Sequence, residues 1–200
     1  MDHVWQAVES LRHEHESLKS GDLPVDVFSL VELDLKLDVI PFDDLAAKYQ
    51  VEAALKVDGT GIYVDAETYV LLEKGPVWKL KRLRFSLAHE VGHYVLHRNL
   101  PQPQYFASLP DFARWTRSNE GQKYTVEQEA NEFAGRLLVP VERLQGFYDE
   151  FETKLSGVLP GFGMPASLRE EFCEFAGQRF GVNAQVIATR LEREALWPSA

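Results

Sequence analysis

The sequence contains a single cysteine, Cys173, in 200 residues. One cysteine excludes a disulfide bond within the chain and fits a reducing compartment. The sequence also lacks any run of about 18 apolar residues, so it predicts no transmembrane helix. Its N-terminus lacks the basic and then apolar pattern of a signal peptide. We therefore expect a cytoplasmic protein that has no membrane partner.

Basic residues are few, because the chain has 21 Lys and Arg against 31 Asp and Glu and a net charge of −10. Proteins that bind nucleic acids gain much of their affinity by neutralising phosphates with Lys and Arg. The acidic balance therefore argues against nucleic acid as a direct partner. A solvated acidic surface explains this balance more simply than a dedicated docking patch does.

Hydrophobic residues make up 45% of the chain, which is enough for one domain with a packed core. Apolar periodicity and turn signals predict an α+β fold with a small antiparallel sheet. In the N-terminal part we expect a helix over residues 3–19, a helix over 25–37, an edge strand over 38–42, a short helix from Asp43 to about Leu55, and a hairpin of Ile62–Val64 and Thr68–Leu72.

The rest of the chain predicts mainly helices. Residues 99–124 contain three prolines and should form a long connection with one helical turn at 112–115. The other expected elements are a helix from about Lys79, a helix over 126–138 opened by a capping box, a helix from Pro140 to about Lys154, a linker over 156–164, and helices over 167–181 and 183–194. We therefore divide the chain into a domain over residues 1–155 and a linker with a helical subdomain, similar to a helix-turn-helix, over 156–200.

The helix from about Lys79 contains the pattern His-Glu-x-x-His at His89, Glu90 and His93. Residues four apart lie on the same face of a helix, about 6 Å apart along its axis. Two imidazoles in this arrangement can bind one Zn²⁺, and the glutamate beside them can take a proton from the metal-bound water. Because a catalytic zinc site has a third protein ligand and an open position, one more ligand must come from elsewhere in the chain.

The helix that follows the long connection carries three glutamates that could supply this third ligand. A rotation of 100° per residue places Glu127 at one margin of the apolar stripe and Glu129 at the other. Glu132 then points to solvent and can pair with Arg136 at i+4. We favour Glu127, because Asn131 one turn later can hydrogen-bond a ligand, and Glu129 is the reserve candidate.

Gly92 lies inside the motif helix, where a glycine costs about 1 kcal/mol relative to alanine. A glycine in such a position usually has a packing reason. We expect that it lets the helix with Ala130 and Ala134 approach closely.

Two segments, RFSLAHEVGHYVLH at residues 84–97 and EQEANEFAGRLLVP at 127–140, resemble the ImmA/IrrE family of zinc metallopeptidases. The resemblance implies a zincin-like fold, zinc bound by His89, His93 and a glutamate of 127–129, and Glu90 as the catalytic base. It also implies that the substrate is a protein, namely a helix-turn-helix transcriptional repressor encoded nearby.

The expected chemistry is zinc-assisted hydrolysis of a peptide bond. His97 and Tyr124 are candidates for the donor that stabilises the oxyanion, and an extended substrate could add as a strand to Tyr69–Leu72 or Ile62–Val64. Two alternatives stay open: a zinc-containing binding module without turnover, such as an antitoxin-like or sensor-like protein, and a DNA-binding regulator. Residues 161–200 carry four arginines against five glutamates, which disfavours the second alternative.

Overall fold

The computed structural model describes residues 2–19, 21–56, 58–70, 74–98, 121–158 and 165–197, without the side chains of 121–124 and 166. The helical turn predicted at 112–115 and most of the predicted long connection lie outside the described residues, as does the larger part of the predicted linker. No helix in the described ranges is long and apolar enough to cross a membrane.

The N-terminal part is helical, as predicted, but its helices are shorter. Helix α1 (Asp2–Glu14) ends before His15 and is followed by α2 (Glu16–Lys19), where one helix was expected. The helix predicted over 25–37 is replaced by α3 (Val27–Ser29) and a π-helical turn (Leu30–Asp34). The Asp26 side chain accepts a hydrogen bond from the Ser29 amide, so this helix begins only after Asp26.

The sheet has the strand order β1-β3-β2, formed by β1 (Asp38–Phe42), β2 (Ala53–Leu55) and β3 (Gly61–Asp65). Strand β1 lies at an edge, as predicted for a strand that contains a proline. The small sheet is predicted, but its antiparallel pairing holds only for β2 with β3, because β1 pairs with β3 in parallel. The sheet is therefore mixed, within an α+β fold that is mostly helical.

Two predicted elements of this region are wrong for local reasons. The helix expected to reach Leu55 is the short α4 (Leu45–Tyr49), which ends at Gln50 with a left-handed φ of 60°, and β2 follows. The strand expected from Thr68 is the helix α5 (Ala66–Val70). An Asp65 carboxylate oxygen accepts hydrogen bonds from the Thr68 amide and hydroxyl and thereby caps the first turn. The hairpin is formed by β2 and β3 instead.

The centre of the fold is the contact between α6 (Val77–His97) and α7 (Gly121–Leu138). Gly92 makes this contact possible, because a Cβ atom there would lie 3.1 Å from Phe133 Cβ and 3.2 Å from Ala130 Cα. The close approach predicted from the sequence is thus confirmed. Helix α7 begins at Gly121, so the capping box expected to open it at Val126 is wrong.

The C-terminal part consists of α8 (Val141–Val158), a 3₁₀ turn (Ala166–Leu168), α9 (Arg169–Phe180) and α10 (Ala184–Arg193). Helix α8 extends past the predicted end at Lys154, and the 3₁₀ turn occupies the place of the predicted capping box at Ser167. Helix α9 ends at Gly181 as expected, in a left-handed conformation with φ 64°. Phe172 of α9 lies in the buried core and contacts the rings of Phe147 and Phe151 on α8.

A buried ion cluster joins α7 to α10. Glu132 is only 4% exposed, so the prediction that it points to solvent is wrong, although its pairing with Arg136 at 2.6 Å is confirmed. Its two carboxylate oxygens also accept from Arg190 at 3.3 Å and Arg193 at 2.7 Å. Arg190 also contacts Glu194 at 2.5 Å. The glutamate is buried because α10 supplies guanidinium groups to it. The domain division at residue 155 stays a prediction.

Candidate metal centre

His89 and His93 lie one turn apart on α6 and turn their Nε2 atoms towards the same point. The two Nε2 atoms are 2.9 Å apart. Glu127 of α7 approaches them with Oε2 at 3.2 Å from His89 Nε2 and Oε1 at 3.7 Å from His93 Nε2. These ligand atoms all lie within 4.8 Å of one another, so the three side chains could hold one metal ion.

The donor set and its spacing fit zinc. Two imidazole nitrogens and one carboxylate are a known ligand set of catalytic zinc sites. Bond lengths of about 2.0–2.1 Å in a tetrahedral site place neighbouring ligand atoms about 3.3 Å apart. The separations of 2.9, 3.2 and 3.7 Å among the three residues bracket this value.

Each histidine is held by a second hydrogen bond at its other ring nitrogen. His89 Nδ1 lies 3.0 Å from the side-chain oxygen of Asn131, the residue that the sequence analysis expected to contact a ligand. His93 Nδ1 lies 3.0 Å from Nδ1 of His97. Both Nδ1 atoms are therefore occupied by protein groups, and both Nε2 atoms face Glu127.

The electrostatics of the cluster keep Glu127 ionised. Burial works to raise the pKa of Glu127, but its contacts with His89 and His93 and their charges outweigh burial and lower that pKa well below its ordinary value. Burial alone would lower the pKa of His89, but the hydrogen bond that its ring donates to Glu127 and the charges of Glu90 and Glu127 raise it. Glu127 is thus held in the ionised form in which a carboxylate can bind a cation.

Glu90, the expected base, is 7% exposed and is held by the sheet. Its Oε2 accepts a hydrogen bond of 2.8 Å from the backbone amide of Leu55 in β2. The role of Leu55 is not predicted, because the sequence indicates a helix over residues 43–55, in which this amide would bond within the helix. Strand β2 therefore orients the carboxylate that follows His89 in the sequence.

Glu129, the reserve candidate, contacts a different histidine. Its Oε2 lies 3.1 Å from Nε2 of His97, and its Oε1 lies 3.1 Å from Nε2 of His3 on α1. His97 is 3% exposed, and burial lowers its pKa more than the hydrogen bond donated to Glu129 raises it. His3 has no predicted role, since nothing in the sequence links α1 to α7. The side chain of Tyr124 lies outside the described residues.

Comparison with known families gives one result. The family model described as the IrrE N-terminal-like domain, Peptidase_M78, matches residues 43–192. The match includes all of α6 and α7, and so it contains both histidines, Glu90 and Glu127. No curated protein matches the chain.

Proposed function

Because the chain belongs to the IrrE N-terminal-like family of metallopeptidases, we propose that it is a zinc-dependent endopeptidase that cleaves a specific protein partner. The observation that carries the proposal is the position of Glu90 next to the cluster of His89, His93 and Glu127. A base, a candidate metal site and a peptidase family together support hydrolysis of a peptide bond.

We assign His89, His93 and Glu127 as the residues that would hold the ion. An ion such as Zn²⁺ held there would supply Lewis-acid chemistry, namely polarisation of the scissile carbonyl and a pKa of about 7 for bound water. Glu90 takes the proton of the attacking water and delivers it to the leaving amine. Oε2 of Glu90 is occupied by the Leu55 amide, so we assign the proton transfer to Oε1.

The substrate is best placed along β2. Ile62–Val64, one strand proposed to receive the substrate, lies in β3, which is paired on both sides, and Tyr69 of the other lies in a helix, so both expectations are wrong. Strand β2 is an edge of the described sheet, and the Leu55 amide already points away from β3 to Glu90. An extended peptide added to this edge would pass beside the base.

The family supports a protein substrate, and we propose a helix-turn-helix transcriptional repressor as its class. Residues 84–97 and 127–140, which carry the resemblance to the ImmA/IrrE family, support this finer assignment. Glu90, the proposed base, is only 7% exposed. This burial agrees with a specific partner, because an open site that cleaves any peptide would not need a buried base.

Incubation with repressor proteins encoded next to its gene tests this function. We expect the zinc-loaded protein to cut one of them into two fragments detectable by intact-mass spectrometry. A chelator should abolish the cleavage, and added zinc should restore it. A repressor that binds tightly and stays intact under these conditions would contradict the peptidase and favour the binding module without turnover.

The structure gives no support to the DNA-binding alternative. Three of the four arginines of the C-terminal segment are in ion pairs within the protein. Arg190 and Arg193 contact Glu132, and Arg169 contacts Glu192 at 2.7 Å. Arginines held in this way cannot also neutralise phosphates without breaking those pairs.

A further inference from the structure

A chain of hydrogen bonds runs from the candidate metal centre to the surface. His93 Nδ1 contacts His97 Nδ1 at 3.0 Å, and His97 Nε2 contacts Glu129 Oε2 at 3.1 Å. The other oxygen of Glu129 contacts His3 Nε2 at 3.1 Å. The chain thus links three helices, α6, α7 and α1, and it ends at a histidine whose side chain is 55% exposed.

The carboxylate of Glu129 determines which nitrogen donates in each of these hydrogen bonds. An ionised carboxylate only accepts hydrogen bonds, so Nε2 of His97 must carry the proton shared with Glu129. A neutral imidazole has one N–H group, so Nδ1 of His97 must then be an acceptor. His93 therefore donates from Nδ1, and its Nε2 keeps a lone pair 2.9 Å from Nε2 of His89 and 3.7 Å from Oε1 of Glu127.

His89 also donates from Nδ1, by a shorter route, because the oxygen of the Asn131 side chain can only accept. Its Nε2 lies 3.2 Å from the ionised Glu127, and a proton there is the one that a metal ion would replace. Both acceptors, Asn131 and Glu129, belong to α7. The helix that supplies Glu127 therefore also sets the proton positions of both histidines.

We propose that Glu129 and His97 are positioning residues that fix the tautomer and ring orientation of His93 for metal binding. This inference rests on the proposed function, since the Nδ1–H tautomer leaves Nε2 of His93 as the nitrogen that would bind zinc. His97 is 3% exposed and both of its ring nitrogens are hydrogen-bonded, so we assign it this role and not that of an oxyanion donor. His3 holds the far oxygen of Glu129.

The tautomer can be measured without metal. Long-range ¹H–¹⁵N NMR of the metal-free protein with ¹⁵N-labelled histidine distinguishes an Nδ1–H from an Nε2–H ring. We expect His93 to be Nδ1–H in the wild type and in Glu129→Gln, which keeps an acceptor oxygen. Glu129→Ala and His97→Leu remove the acceptor chain, and His93 should then show a mixture of tautomers.

Zinc affinity gives a second readout. Loss of a group that orients a metal-binding histidine weakens binding by about 10- to 100-fold. We expect this loss in Glu129→Ala and His97→Leu. His97→Asn places an acceptor oxygen near the position of Nδ1 and should bind zinc more nearly like the wild type. Rescue by the conservative variants separates positioning from a general loss of stability.

The His89 ring is an internal control. Its NMR signals should be the same in Glu129→Ala as in the wild type and change only in Asn131→Ala, so misfolding would be recognised by changes at both rings. A wild-type His93 that is Nε2–H, or tautomer and zinc affinity unchanged in Glu129→Ala and His97→Leu, would overturn the inference. An Nδ1–H ring in a wild type that binds no zinc would support the hydrogen-bond direction and contradict the proposed function, so the two failures are distinguishable.

Discussion

Replacement of Glu90 by glutamine should lower kcat for cleavage of the partner by about 10²- to 10⁴-fold, the usual contribution of a general base. Glutamine cannot take up the proton of the attacking water. Its amide oxygen can still accept the hydrogen bond from the Leu55 amide, so the strand and the helix should keep their positions. The measurement is single-turnover cleavage of the partner by wild type and Glu90→Gln at equal zinc content.

The matched control for this experiment is Glu150→Gln, the same chemical change at an exposed position on α8, where Glu150 pairs with Lys154. We expect this variant to cleave the partner at the wild-type rate. Zinc content and partner binding should be retained in Glu90→Gln. If Glu90→Gln cleaves as fast as Glu150→Gln, another residue is the base and the assignment of Glu90 is wrong.

Replacement of Glu132 by alanine should lower the free energy of unfolding by about 3–5 kcal/mol, the usual cost of removing one partner from a buried ion pair. Glu132 is 4% exposed and contacts three guanidinium groups. Its removal leaves Arg190, which is 2% exposed, with Glu194 as its remaining carboxylate contact in the cluster. Urea unfolding of the two proteins, followed by circular dichroism, measures the difference.

The comparison variant for stability is Glu150→Ala, which breaks an exposed i,i+4 pair. Such pairs contribute little, so its unfolding midpoint should stay close to that of the wild type. An unfolding free energy of Glu132→Ala equal to that of Glu150→Ala would show that the ion cluster does not hold α10 on α7.

The helix that carries His89, Glu90 and His93 could be predicted from the sequence because its geometry is local. The i,i+4 spacing of His89 and His93 places both rings on one face of any regular helix, and Gly92 indicated where the second helix crosses. The choice between Glu127 and Glu129 as the third ligand required the orientation of α7 about its axis, since the two residues differ by 200° around this helix. It depended on assigning the apolar stripe of that helix, and the structure brings Glu127 to both Nε2 atoms.

The features that could not be predicted depend on contacts between residues that lie far apart in the sequence. Glu132 looked exposed because the arginines that bury it lie on α10, 58 residues away at Arg190. No residue near Glu132 in the sequence indicates that these arginines contact it. In the same way, His3 contacts Glu129 only because α1 packs on α7. Burial of charged groups by distant partners cannot be read from periodicity within one helix.

Two elements were predicted wrongly because a contact in the fold outweighs the intrinsic secondary-structure propensity of the residues. Thr68–Val70 has β-forming residues, but the Asp65 carboxylate caps the backbone there and starts a helix. Ala53–Leu55 has residues that favour a helix, but it pairs with β3 as a strand. The second error mattered more, since it hid the amide of Leu55 that orients Glu90.

The central claim is that His89, His93 and Glu127 hold one zinc ion. Its most direct test is metal content, by elemental analysis after dialysis against buffered zinc, of wild type, Glu127→Gln and Glu129→Gln. We predict about one zinc per chain in the wild type and in Glu129→Gln, and a large loss in Glu127→Gln, because a neutral amide is a much poorer ligand than a carboxylate. A zinc-free wild type, or zinc retained in Glu127→Gln and lost in Glu129→Gln, would contradict the account.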